Sequence, residues 1–215
     1  MAELGIVLLA AGESRRMGAV NKLLLSVDGE PLVRRTARLL ASLAGTAEGS
    51  EAGSRVTVVL GHEAEDVAAA LAGLEVTVSV NPDYATGQRS SVYHGLSNVG
   101  EADSYMVSPA DMPHLTAEDC GALIAAHRSA PDGAVTVPMR QTPHGAQRGN
   151  PVMLSGTARA EVVSGGINLG CRGLLERRPD LIHIHKAMSD GFFVDIDTPE
   201  AYAAETGAFL PAPAG

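Results

Sequence analysis

A layered α/β fold built on a mainly parallel sheet is the architecture this sequence predicts, and three observations carry the prediction. Short apolar, β-rich runs alternate with longer segments of helical spacing. The runs LGIVLLA (4–10) and RVTVVLG (55–61) are dominated by apolar residues and read as buried parallel strands, covered on both faces. The first run gives way to a glycine-bracketed loop, LAAGESRRMGAVNK (9–22), at the carboxyl end of a strand, where sheets of this kind collect their ligands.

The elements follow in order. After the strand 4–10, PLVRRTARLLASL (31–43) spaces its leucines and valine as a helix does, with Pro31 suited to a first turn. The strand 55–61 leads to a helix over 62–74, acidic at its start, where the macrodipole favours carboxylates. EVTVSV (75–80) alternates as a strand; a helix over 90–99 and a strand over 104–110 come next. A helix over 116–130 has Thr116 as N-cap and acidic residues in its first turn. GAVTVPM (133–139) and NPVMLS (150–155) read as strands, and 170–179 as a short helix stopped by Pro179. LIHIH and FFVDID give two late strands, and a closing helix begins near Thr198. TAEGSEAGS (46–54) reads as a solvent loop, and RQTPHGAQRG (140–149) as either a substrate flap or a surface hairpin. Residues 1–208 are expected to form one domain, with a flexible tail at 209–215.

Composition narrows the function classes. A formal charge of −9 argues against broad electrostatic binding to nucleic acid or an anionic membrane, while leaving room for small anions at a local patch of positive charge. Cys120 and Cys171 lie far apart with no metal or redox spacing. The stretch MAELGIVLLAAG lacks the basic head of a signal peptide, and no run approaches the roughly twenty apolar residues of a membrane span, so the expected location is cytoplasmic.

The loop 9–22 is where chemistry concentrates. Gly12 and Gly18 permit tight turns, and Arg15, Arg16 and Lys22 add positive charge, the ingredients of a phosphate site. Its spelling matches neither the dinucleotide fingerprint nor the P-loop, which disfavours a dehydrogenase or an ATPase. Lys22 is one of only two lysines among sixteen Lys and Arg residues, and an ammonium is a compact charge able to follow a moving phosphate. Asp111, in SPADMP (108–113), should project from the carboxyl end of a strand, where a carboxylate either holds Mg²⁺ or caps the turn before Pro113. Asp195 and Asp197, in VDIDTPE, are expected on opposite faces of a strand. One of them, Asp195 by preference, would then serve the same metal, and Asp197 would cap the helix after Thr198. His183 and His185 share a strand face with no thiol or carboxylate pattern beside them and are taken as structural.

The loop LAAGESRRMGAVNK resembles the signature L-A-(A/G)-G-x-S-x-R-M-G-x-x-K of the MobA-like nucleotidyltransferases, which include the molybdenum-cofactor cytidylyl- and guanylyltransferases. NPDYATGQRSS (81–91), SPADMP (108–113), RGNPVML (148–154) and DIDTPEAY (195–202) match in the same order, so the resemblance covers most of the chain. It implies a three-layer α/β/α, Rossmann-like fold of the nucleotide-diphospho-sugar transferase type. It also implies transfer of a nucleotide from its triphosphate to a phosphate-bearing acceptor with release of pyrophosphate. In that family LAAG goes with cytidine nucleotides, which points to CTP as donor and to molybdopterin or the molybdenum cofactor as acceptor, with a molybdenum hydroxylase as eventual partner. Residue by residue, Arg16, Lys22 and Asp111 take catalytic positions. Leu9, Ala10, Ala11, Gly12, Arg15, Gly87, Ser90 and Ser91 face the nucleotide, and Arg148 and Asn150 face the acceptor. Mg²⁺ belongs at Asp111 with Asp195, or with Asp197 instead. Ser90 is equally readable as an ordinary helix cap, and Arg148 as part of a solvated flap. The chain departs from the family at INLGCR (167–172), with Asn168 and Cys171 where G-D-x-G-A-R is usual, which leaves room for a different small phosphate ester as acceptor; a related fold kept as a nucleotide or cofactor carrier without turnover is a separate alternative.

Overall fold

The computed structural model describes residues 3–18, 20–44, 55–166, 178–208 and 210. The expectations for 46–54, for INLGCR with Asn168 and Cys171, for most of the helix 170–179 and for the tail apart from Leu210 lie outside those residues.

Strand β1 (Leu4–Ala10) occupies the middle of the sheet, parallel to β4 (Val56–Leu60) on one side and to β6 (Ser104–Pro109) on the other. β5 (Thr77–Val80) extends the sheet beyond β4, again in parallel. On the far side β9 (Val152–Ser155) runs antiparallel to β6 and to β7 (Val135–Thr142). β10 (Ile182–Lys186) then lies parallel to β7 at the edge. The apolar runs explain the central positions. Successive residues of β1 point to opposite faces, so Ile6, Leu8 and Ala10 enter one core and Val7 and Ala11 the other. The first core packs against α1 (Leu32–Ala44), α2 (Ala64–Ala70) and α4 (Ala117–Arg128). The second packs against α3 (Gln88–Asn98) and α5 (Gly156–Val163). The result is the expected three-layer, mainly parallel α/β/α arrangement. No helix among the described residues is long and apolar enough to cross a membrane.

Several local expectations change. Pro31 sits in a two-residue strand, β3 (Glu30–Pro31), paired with β2 (Ser26–Val27), and α1 starts one residue later. The loop 140–149 is a hairpin: β7 runs on to Thr142, and β8 (Gly145–Arg148) returns along it. α5 was not anticipated, although Ser155 caps it by accepting from the Ala158 amide. FFVDID is not a strand. Asp190–Phe192 forms a 3-10 turn, and the chain then runs without regular structure or a ladder partner until α6 (Pro199–Thr206). The cap at Thr116 is as read, and Asp119 completes a reciprocal capping box with it.

Candidate active site

Four segments meet at the carboxyl ends of β1, β4 and β6. Backbone hydrogen bonds tie their exits together: Ala110 N donates to Leu9 O at 3.1 Å, and Asn81 N donates to Leu60 O at 2.8 Å. A cavity of about 330 Å³ opens there. One wall is Leu9, Ala11 and Gly12 with Arg15 and Lys22; another is Tyr84, Gly87 and Ser91, and Asp111 lies beside them.

The loop after β1 owes its shape to three residues. Ser14 adopts a left-handed conformation (φ 52°), and its hydroxyl accepts from the Lys22 amide at 3.3 Å. Gly18 turns the chain with φ 71°, a region that glycine enters without a side-chain penalty. Met17, the apolar residue of the signature, is buried with Val27, Leu32, Ile196 and Tyr202 and so pins the loop to the segment carrying Asp195 and Asp197. The chain has three residues between Gly18 and Lys22 where the signature has two, and Lys22 still reaches the carboxylates.

Lys22 is the centre of the charge arrangement. Its ammonium pairs with Asp111 and, at 2.5 Å, with Asp197. Burial opposes its charge, yet the two carboxylates carry its pKa above the ordinary lysine value. Asp197 also pairs with Arg16 at 2.5 Å. Burial would raise the Asp197 carboxyl, but Lys22 and Arg16 together hold it below the usual carboxylate range. Asp195 is shifted the other way, upward, first by burial and then by Asp197 and Asp111, against Lys22 and Arg16. Arg15 points outward and pairs with Glu13 at 2.5 Å.

The expectation that Asp195 and Asp197 diverge is overturned. Even in a strand, residues two apart share a face; here Ile196, between them, is buried, and its amide donates to Asp111 O at 3.0 Å. Asp111, Asp195 and Asp197 therefore each bring a carboxylate oxygen within 4.8 Å of the others. Nor does Asp197 cap the last helix; the Thr198 hydroxyl does so by accepting from the Ala201 amide at 3.2 Å. A trio of carboxylates fits a hard cation that prefers oxygen ligands, the class to which Mg²⁺ belongs. Among the described residues this is the one group of three or more acidic, His or Cys side chains close enough for such a role. His183 and His185 are not part of it; His185 stacks edge-on with Phe192, ring centroids 5.5 Å apart.

On the opposite wall, α3 begins at Gln88, two residues before Ser90, so Ser90 does not cap it. Tyr84 was not singled out from the sequence. The base of its side chain packs on Gly61, where an added Cβ would come within 2.5 Å of Tyr84 Cγ and 2.9 Å of the Ala11 methyl. The proposed acceptor residues sit elsewhere. Arg148 and Asn150 do not line the cavity, but the Asn150 amide donates to Phe192 O at 2.9 Å, which brings their strand exit against the turn before Asp195. Burial lowers the Arg148 pKa. Arg140 is held by Gln147 at 2.9 Å and Asp190 at 2.5 Å, above the Phe193 ring, and His144 is exposed at the hairpin tip.

Residues 6–181 match the model of the MobA-like NTP transferase domain. The chain belongs to that family. It is 30% identical over 198 residues to the nicotine blue oxidoreductase of Paenarthrobacter nicotinovorans, covering 90% of this chain and 92% of that protein. It is 37% identical over 112 residues to a probable molybdenum cofactor guanylyltransferase of Natronomonas pharaonis, a match covering 52% of this chain and about half (51%) of that relative. A nucleotidyl transferase from Methanothermobacter thermautotroptrophicus superposes with a TM-score of 0.72 at 22% identity, covering 94% of this chain and 95% of that one, a likeness of fold. For a MobA-like chain, the carboxyl-end location of the cavity and its mixture of cations and carboxylates suit a polyanionic ligand.

Proposed function

We propose that this MobA-like protein transfers CMP from CTP to a phosphate-bearing acceptor, molybdopterin or the molybdenum cofactor, for later use by a molybdenum hydroxylase. The observation that carries the reading is the convergence of Lys22 and Arg16 with Asp111, Asp195 and Asp197 beside the LAAG loop. An oxygen of the acceptor phosphate attacks the α-phosphorus of the donor, the bond from that phosphorus to the bridging oxygen breaks, and pyrophosphate leaves with the electron pair. The acceptor phosphate is already ionised near neutral pH, so no proton has to be removed by a Ser–His pair. Arg15, Arg16 and Lys22 take up the charge of the β- and γ-phosphates and of the departing pyrophosphate. Asp111, Asp195 and Asp197 would hold Mg²⁺, which when bound supplies charge neutralisation and alignment at the transferring phosphorus. Arg148 and Asn150 face the acceptor.

CTP as donor rests on the resemblance of the LAAG spelling at residues 9–12, whereas the relative matched over about half its length bears the name of a probable guanylyltransferase, so the base needs a direct test. Pyrophosphate release is measured with Mg²⁺ and either CTP or GTP, with and without molybdenum cofactor. Release with CTP only when the cofactor is present supports the proposal; preference for GTP refutes the base, and turnover on another phosphate ester refutes the acceptor. A second reading, an oxidoreductase, is favoured by the similarity over nearly the full length of nicotine blue oxidoreductase. Oxidation of a reduced nicotinamide nucleotide coupled to the two-electron reduction of an added quinonoid dye, in the absence of any pyrophosphate release, would select it.

A further inference from the structure

Asn81 is 2% exposed, follows β5, and makes hydrogen bonds in three directions. Its carbonyl Oδ1 accepts from the Asp83 amide at 3.0 Å. A backbone N–H can only donate, so this contact settles which way the side-chain amide is turned. The Nδ2 group then gives one proton to the Ser90 hydroxyl at 3.0 Å and the other to the Ser91 hydroxyl at 3.1 Å. Ser90 passes its own proton on to Asp83 O or Gly87 O, each 2.9 Å away. Ser91 has no such outlet: among the described residues no protein acceptor takes its proton. The residue is 4% exposed and lines the cavity together with Tyr84, Gly87 and Ala11.

A buried hydroxyl that has already accepted one hydrogen bond is committed to donating the next, because leaving the donor unmet in a low-dielectric wall is costly. From this geometry we infer that Asn81 is a positioning residue that fixes Ser91 as a donor toward the cavity, and that the group it receives is a hydrogen-bond acceptor, a carbonyl oxygen or ring nitrogen, on the edge of the nucleobase. The inference rests on the nucleotide-transfer reading given above. It assigns the Tyr84–Ser91 wall to the base, whereas the cations and carboxylates of the other wall serve the phosphates. Ser91 touches the ligand; Asn81 acts through it.

Asn81→Asp tests this with almost no change of shape. A carboxylate accepts where the amide donated, so Ser91 turns its proton inward and has none for a ligand. Binding of Mg²⁺–CTP and of Mg²⁺–tripolyphosphate, which has no base, is measured by calorimetry on wild type, Asn81→Asp, Ser91→Ala and the double variant. The expected result is about tenfold weaker CTP binding in each single variant, the size of one hydrogen bond to a ligand. The double variant should be no worse than the singles, and tripolyphosphate should bind all four proteins alike. CTP affinity unchanged in Ser91→Ala, losses that add in the double variant, or an equal loss for tripolyphosphate would each overturn the assignment. Ser91→Ala removes a single oxygen and keeps the test open should Asn81→Asp not fold. A wild-type protein that binds tripolyphosphate but no nucleotide refutes the transfer reading itself, whereas nucleotide binding that is indifferent to both substitutions refutes only the role of Asn81 and Ser91.

Discussion

Lys22 lies 12% exposed between two carboxylates, and its charge survives burial because both partners reach it. Lys22→Ala should lower turnover by about 10²–10³-fold, the usual cost of removing one group that meets charge developing in a transition state. Pyrophosphate release under saturating nucleotide checks this, and a near-normal rate would remove the lysine from the chemistry. The sequence disclosed this residue well, since lysine is scarce in the chain and the loop signature singles it out. It disclosed Asp195 and Asp197 less well. A D-I-D spelling suggested a paired strand with a helix cap at its end, but both carboxylates are set by the burial of Ile196 and by a cap that Thr198 supplies. Tyr84 and Asn81 were invisible for a different reason. Their importance lies in what the tertiary fold sets against them, a glycine backbone in one case and two serine hydroxyls in the other.

The helix α3 illustrates how an element transmits position. Gly95 lets it lie directly on the sheet; a Cβ there would come within 2.3 Å of Val7 Cγ1 and 2.8 Å of Val59 Cγ2. Gly95→Ala should therefore cost about 1–3 kcal/mol of stability, the usual range for overpacking. It should also weaken nucleotide binding, because Ser91 rides on the same helix one turn away. Denaturant unfolding and calorimetry test the two effects together. At the sheet edge, His127 on α4 is buried, bonded to the Thr136 hydroxyl at 2.8 Å and close enough to feel His183. Burial first, and then the charge of His183, push its pKa below the histidine value of 6.5, with a smaller opposing pull from the Leu154 backbone. The unfolded chain thus takes up this proton more readily than the folded one. Stability is full above pH 6.5 and is lost progressively as pH falls through that value toward the lower folded pKa. Urea unfolding at pH 7.5 and 5.5 should show the loss, and His127→Gln should reduce it. The strands and helices of the layers were legible because burial on two faces leaves continuous apolar runs. α5 escaped because its short, small-residue sequence has little periodicity, and its buried face is only Ala158 and Val162.

For the whole molecule, the cavity draws on the loop after β1, the entry to α3 and the end of β6, and Asp111 at its side joins the carboxylates of the stretch before α6. A ligand bridging these parts stabilises only the folded state. Mg²⁺ with CTP at a hundred times its dissociation constant should add about 2.7 kcal/mol and raise the melting temperature of a single transition. Differential scanning calorimetry reads this directly, and a chelator should diminish the rise.

The packing of Met17 against Ile196 and Tyr202 has a consequence in time as well as in space. Residues 14–22 leave the ribosome long before residues 195–202 exist. Until then the loop lacks the Ile196 and Tyr202 part of its apolar anchor and the Asp197 carboxylate that holds Lys22 and Arg16. A nascent chain carrying every residue of the loop thus still lacks contacts that hold the loop in its folded arrangement, and these arrive only when the segment around Ile196 packs against the oldest part of the chain.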